Sequence, residues 1–142
     1  MKFSDIEPGT WEELRPYLDT CLIPVTGLTG KERPNEVVEA LEKLRDVLDW
    51  VESPFHGRVV TYPSFQYGEE EMMPHINEVC RRVKRSGFMY AIVISGRLEL
   101  RREQLPDADL LISPGLFPPT EEKLPKQRVM EQVQALWQGS KY

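Results

Sequence analysis

A chain of 142 residues, 40% hydrophobic and 29% charged, has the size and make-up of one globular domain with a single sizeable core. Its formal net charge of −5, with no basic tail, argues against sequence-independent nucleic-acid binding, which depends on neutralising phosphates. Its longest apolar run, Phe88–Ile94, is far short of the roughly 20 residues of a membrane-spanning helix, so no membrane insertion is expected.

The opening MKFSDIEPG carries no apolar stretch and no cleavage site, so a cytoplasmic location is the expectation. Cys21 and Cys80 sit in apolar patterns and read as small buried hydrophobes rather than a disulfide framework. Charge is unevenly spread. Residues 1–71 hold 7 Lys/Arg against 15 Asp/Glu, whereas residues 72–142 hold 11 against 8. Solvated helix faces account for this split more simply than a partner surface does.

Thr10-Trp11-Glu12-Glu13 has the Thr-x-x-Glu form of a capping box and predicts a helix from Thr10, with Trp11, Leu14 and Leu18 on one face. Pro16 predicts a kink or a split into two short pieces. Residues 20–25 (TCLIPV) predict a strand, with Pro24 at its end or facing an edge because proline cannot donate to a ladder. Residues 34–52 give the clearest helix. Val37, Val38, Leu41, Leu44, Leu48 and Val51 form one stripe, and Pro34 and Pro54 bracket the ends.

RVVTY at 58–62 predicts a second strand, running into PSFQYG as a loop. A helix follows from about Glu70 to Arg85, with Met72, Ile76, Val79, Cys80 and Val83 inward and Gly87 as its left-handed stop. FMYAIVI at 88–94 is apolar throughout, as a strand covered on both faces should be. DLLIS at 109–113 predicts a fourth strand. Between these two, Leu98 and Leu105 favour a short helix, while the alternation of Leu98 and Leu100 leaves a hairpin after Ser95-Gly96 open. A last helix carries Val129, Met130, Val133, Leu136 and Trp137.

Strands separated by amphipathic helices imply right-handed crossovers and a parallel sheet. The expected fold is an α/β three-layer sandwich, flavodoxin-like or Rossmann-like, with four mainly parallel strands in the order 2-1-3-4.

VTGLTGKE at 25–32 has the look of a phosphate-binding loop, but the match fails. A Walker loop needs Gly-x4-Gly-Lys-Ser/Thr. Aligned on Gly30-Lys31, the first glycine is Val25 and the hydroxyl is Glu32, a carboxylate that would repel phosphate. Gly27 and Gly30 also lack the dinucleotide-binding spacing. His75 and Cys80 lie about 140° apart around a helix and do not converge on a metal, and His56 sits in a turn at the other end of the sheet. No Gly-x-Ser-x-Gly elbow is present. The strand-end positions of a receiver-type acidic pocket hold Thr26, Pro63, Ser95 and Ser113. No catalytic residue, metal site or cofactor is therefore expected.

The loops after the strands gather Tyr62, Pro63, Phe65, Tyr67, Leu116, Phe117, Pro118 and Pro119, a group suited to a protein-binding surface or an apolar pocket. Two readings follow. One is a non-catalytic protein-interaction module using these aromatic strand-end loops, Phe65 and Phe117 among them. The other is a small-ligand domain or enzyme on the same edge. Its ligand would be nucleotide-, flavin- or quinone-like, and its site would be lined by Thr26, Gly27, Ser64, Tyr67, Ser95, Arg97 and Ser113.

In YLDTCLIPV, GRVVTYPSFQY and QVQAL the chain resembles the YpiF-like proteins, small uncharacterised proteins of Bacillus-type bacteria. The shared runs fall on Asp19, Thr20, Leu22, Ile23 and Pro24, then on Gly57, Arg58, Pro63, Phe65 and Tyr67. The resemblance implies a bacterial cytoplasmic protein of unknown activity, with no catalytic residues to carry over. Genes of the family that neighbour those of a menaquinol–cytochrome c reductase hint at a respiratory-complex component as the protein partner.

Overall fold

The computed structural model describes residues 1–116, 118 and 124–139. Strands β1 (Thr20–Leu28), β2 (Val59–Thr61), β3 (Phe65–Tyr67), β4 (Tyr90–Ser95) and β5 (Leu110–Ile112) are joined by helices α1 (Trp11–Leu14), α2 (Pro34–Glu52), α3 (Met73–Arg85) and α4 (Pro125–Trp137). Every strand pair is parallel. The order across the sheet is β2-β1-β4-β5, which is the expected 2-1-3-4, and β3 adds a fifth strand that pairs with β1 beyond β2.

Alternation along the inner strands builds two cores. Cys21, Ile23, Val25, Ala91 and Val93 face a layer made by α3, by the N-terminal segment and by the connection after β4. Leu22, Val59, Ile92, Ile94 and Ile112 face Leu44, Val47 and Val51 of α2 and Val129 and Val133 of α4. β1 is buried along its whole length, because it lies inside the sheet with helices over both faces. Full burial of each large aliphatic side chain contributes roughly 2 kcal/mol, so the sheet interior dominates stability.

β1 runs three residues further than its sequence predicts. Pro24 is tolerated inside it because its missing donor falls on the side of a broken neighbour. The β1–β2 register ends at Leu22 opposite Thr61, and the Tyr62 amide donates to the Leu22 carbonyl at 2.9 Å. Pro63 then interrupts the edge, and pairing resumes in β3, which reads as loop in sequence. The resumed pairing skips a residue: Val25 faces Phe65 but Leu28 faces Tyr67. Gly27, at φ +78°, absorbs this bulge. The Thr26 hydroxyl bridges it, donating to the Gln66 carbonyl and accepting from the Leu28 amide. Met1 and Lys2 run parallel beside β2, with the Thr61 amide donating to the Met1 carbonyl at 2.8 Å.

Three local expectations are corrected. Thr10 precedes α1 but does not cap it; its hydroxyl donates to the Glu7 carbonyl at 2.9 Å, and the helix stops at Leu14, before Pro16. Residues 97–108 form neither helix nor hairpin; they are an irregular connection anchored by buried Leu100, Leu105 and Ala108. Finally, the buried face of α2 is Leu44, Val47 and Val51, while Val38 and Leu41 stand exposed, Leu41 over the groove at the broken edge of the sheet.

Candidate functional site

In a parallel α/β sheet, ligands collect where the strands end, so the rim formed by the ends of β1, β4 and β5 is the place to look. The sequence places Thr26, Gly27, Ser95, Arg97 and Ser113 there, and the fold brings their loops together. The end of β1 packs on the loop after β4: a Cβ added at Gly27 would lie 3.0 Å from the Leu98 Cγ and 3.5 Å from the Arg97 Cβ.

What these residues do on the rim is bond to the protein itself. Ser95, fully buried, accepts from the Arg97 amide at 3.3 Å and the Leu98 amide at 3.0 Å, which shapes the turn out of β4. Ser113 donates to the Glu99 carboxylate at 2.9 Å, and the same carboxylate accepts from the Gly115 amide at 3.0 and 3.1 Å. Thr26 is committed to the bulge.

The VTGLTGKE loop shows the same closure. Gly30, at φ +94°, turns the chain so that the amides of Thr29 and Gly30 point inward. Between them lies the Glu32 carboxylate. It accepts from the Thr29 amide at 3.0 and 3.1 Å, the Thr29 hydroxyl at 3.0 Å and the Gly30 amide at 3.0 Å. The Arg97 guanidinium completes the ring at 3.0 Å. Desolvation works against the charged carboxylate, whose side chain is only 5% exposed, yet the hydrogen bonds from Thr29 and Gly30 outweigh it and hold the pKa at about 2. Glu32 and Glu99 were not among the residues that sequence picks out for this edge. The signal was there for Glu32: a carboxylate that would repel phosphate in such a loop can also occupy the place of one.

Among the described residues the aromatic group does not form one patch. Tyr62 and Phe65 pack on the α3-side core, and Phe65 meets His75 edge to face at 5.6 Å. Leu116 packs on the opposite core. Ser64 and Gln66 line a groove of about 430 Å³ on the β2–β3 edge, whereas Tyr67, on the same face of β3 as Phe65, stands exposed on the α3 side. Phe117 and residues 119–123 lie outside the described residues.

The shared-run residues meet elsewhere. DTCLIPV becomes β1 and GRVVTYPSFQY its interrupted edge partner. At the start of both strands, Arg58 grips Asp19 through two bonds of 3.0 and 3.1 Å. Trp137 of α4 covers Arg58 and donates its indole N–H to the Thr20 hydroxyl at 2.9 Å.

Both cysteines are fully buried, and burial pushes their thiols up, that of Cys80 to about 11. Among the described residues no three His, Cys, Asp or Glu side chains converge on a metal position, and no helix is long and apolar enough to cross a membrane.

Sheet, crossovers and rim define a small parallel α/β domain whose strand-end polar groups are bonded to its own backbone and carboxylates. Over residues 9–138 the chain matches the model of a family described as protein of unknown function, DUF2487, and it belongs to that family. No curated protein and no solved structure matches it.

Proposed function

We propose that the chain is a non-catalytic interaction module, and that its protein partner docks on the β2–β3 edge beside α2 rather than on the strand-end rim. One contrast carries this reading. On the rim, the hydroxyls of Thr26, Ser95 and Ser113 and the amides of Thr29 and Gly30 already have partners. At the groove on the edge, large apolar side chains stand in water: Phe3 at 48% and Leu41 at 44% exposure. The groove there is lined by Pro24, Leu41, Leu48, Tyr62 and Pro63, with Lys2, Arg45 and Glu52 at its margins.

An apolar trough with a charged border suits anchoring side chains of another protein. The break at Pro63 and the bulge at Gly27 make the edge irregular, which disfavours indiscriminate strand pairing and leaves side-chain recognition to set specificity. A nucleotide- or flavin-like ligand on the rim has less support, because it would have to displace protein–protein hydrogen bonds one for one. The narrower YpiF-like assignment, the cytoplasmic location and the respiratory partner belong to this same proposal.

Photo-crosslinking side chains placed at Leu41 and Phe3, with Tyr17 and Met89 as exposed apolar controls at the opposite end of the sheet, test the reading in cells that carry the protein. Adducts to one and the same protein from Leu41 and Phe3, absent from the controls, support it. No adduct, or equal adducts from all four positions, overturns it.

A further inference from the structure

The ring of donors around Glu32 has the composition of a receptor for a detached anion. Two loops supply it: the Thr29 amide and hydroxyl and the Gly30 amide from one, the Arg97 guanidinium from the other, each within 3.1 Å of a carboxylate oxygen. It is separate from the N-terminus of α2, whose first turn is closed by Glu36 accepting from the Arg33 amide at 2.9 Å. Glu32 sits two and three residues from the Gly30 and Thr29 amides it bonds, so it acts as a tethered ligand at high effective concentration.

We infer that the Thr29–Gly30–Arg97 cradle is an oxyanion-binding site that the chain fills with its own Glu32 carboxylate, and that a small carboxylate takes that place when the side chain is cut away. Geometry favours this class: planar, two-oxygen acceptors match a guanidinium and paired amides. Charge refines it. Beside Arg97 opens a cavity of about 370 Å³ lined also by Glu36, Glu39 and Lys43. The two carboxylates there work against a doubly charged anion, so formate fits better than phosphate. The wild-type loop is thus shut to phosphate by its own residue, and this holds whether or not the edge binds a protein.

The test is thermal unfolding of wild type, E32A and the double variant E32A/R97A at pH 7 and constant ionic strength, titrated with sodium formate, sodium phosphate or sodium chloride. E32A should melt below wild type. Formate should raise its Tm saturably, by roughly 2–4 °C at concentrations a few times the Kd, with phosphate weaker and chloride inert. Wild type and E32A/R97A should respond to formate no more than to chloride. If E32A does not fold, recovery of its helical circular dichroism in formate and not in chloride supports the inference. An E32A that formate neither stabilises nor refolds beyond the chloride control overturns it, as does equal stabilisation of wild type.

Discussion

The Arg58 guanidinium carbon lies 4.1 Å from the centre of the Trp137 ring, while its nitrogens hold both oxygens of Asp19. Phe55 meets the same indole edge to face at 4.9 Å. This clamp fastens the end of α4 to the beginning of β1 and β2, at the end of the sheet opposite the rim. Its parts are partly buried, paired and hydrogen-bonded, the arrangement in which an ion pair contributes to stability rather than being screened away.

Breaking the clamp should therefore loosen α4 without touching the rim. R58A loses two charge-assisted bonds and the ring contact and should destabilise by about 2 kcal/mol. W137F keeps a ring over Arg58 but loses the bond to Thr20, and should cost about 1 kcal/mol. Urea unfolding of both variants checks the order; equal losses, or none, would show that the clamp is ornamental.

Glu32 predicts a pH dependence of definite sign. Its carboxyl is held at about 2 in the fold against a usual 4.5, so its ionised form favours the native state. That contribution is complete above pH 4.5 and is lost as pH falls from 4.5 towards 2. The stability difference between wild type and E32Q should accordingly be constant from neutral pH down to about 5 and shrink across the acid window. A difference that stays flat down to pH 2 would be incompatible with the hydrogen-bonded carboxylate.

Gly27 is required by both backbone and space. At φ +78° a side chain is strained, and its Cβ would press on Leu98. G27A should cost about 2 kcal/mol, and chemical denaturation measures it directly. A neutral result would mean that the bulge relaxes into a regular ladder.

The connection at 97–108 is irregular yet packed, and Leu105 is its fully buried anchor. L105A should cost about 3 kcal/mol, as a core leucine does, rather than the few tenths expected of a surface loop. Equilibrium unfolding distinguishes the two.

Much of this architecture is legible in the residues alone, and the failures share a cause. α2 falls on residues 34–52 as its periodicity and prolines dictate, and the alternation of helices with apolar runs yields a parallel sheet in the right order. Periodicity cannot tell which stripe residues find a partner. Val38 and Leu41 belong to the apolar pattern but stand exposed, Leu41 over the groove at the broken edge. β3 is hidden because Pro63 punctuates the sequence where the strand merely pauses. Leu98 and Leu105 show helical spacing, but residues 97–108 gain their burial by folding individual leucines into a gap between layers. At the rim, the hydroxyls of Ser95 and Ser113 are visible in sequence at their strand ends. That they are spent depends on the turn that aims the Arg97 and Leu98 amides at Ser95 and on Glu99 reaching Ser113 from another loop, which only the tertiary fold fixes.

The claim that the rim is closed on itself is tested most directly by the titration of the Glu32 carboxyl, followed by carbon-detected NMR with E32Q for assignment. A midpoint near pH 2, with the Thr29 and Gly30 amide shifts following the same curve, is the predicted result. A midpoint near 4.5, with those amides indifferent to it, would contradict the account.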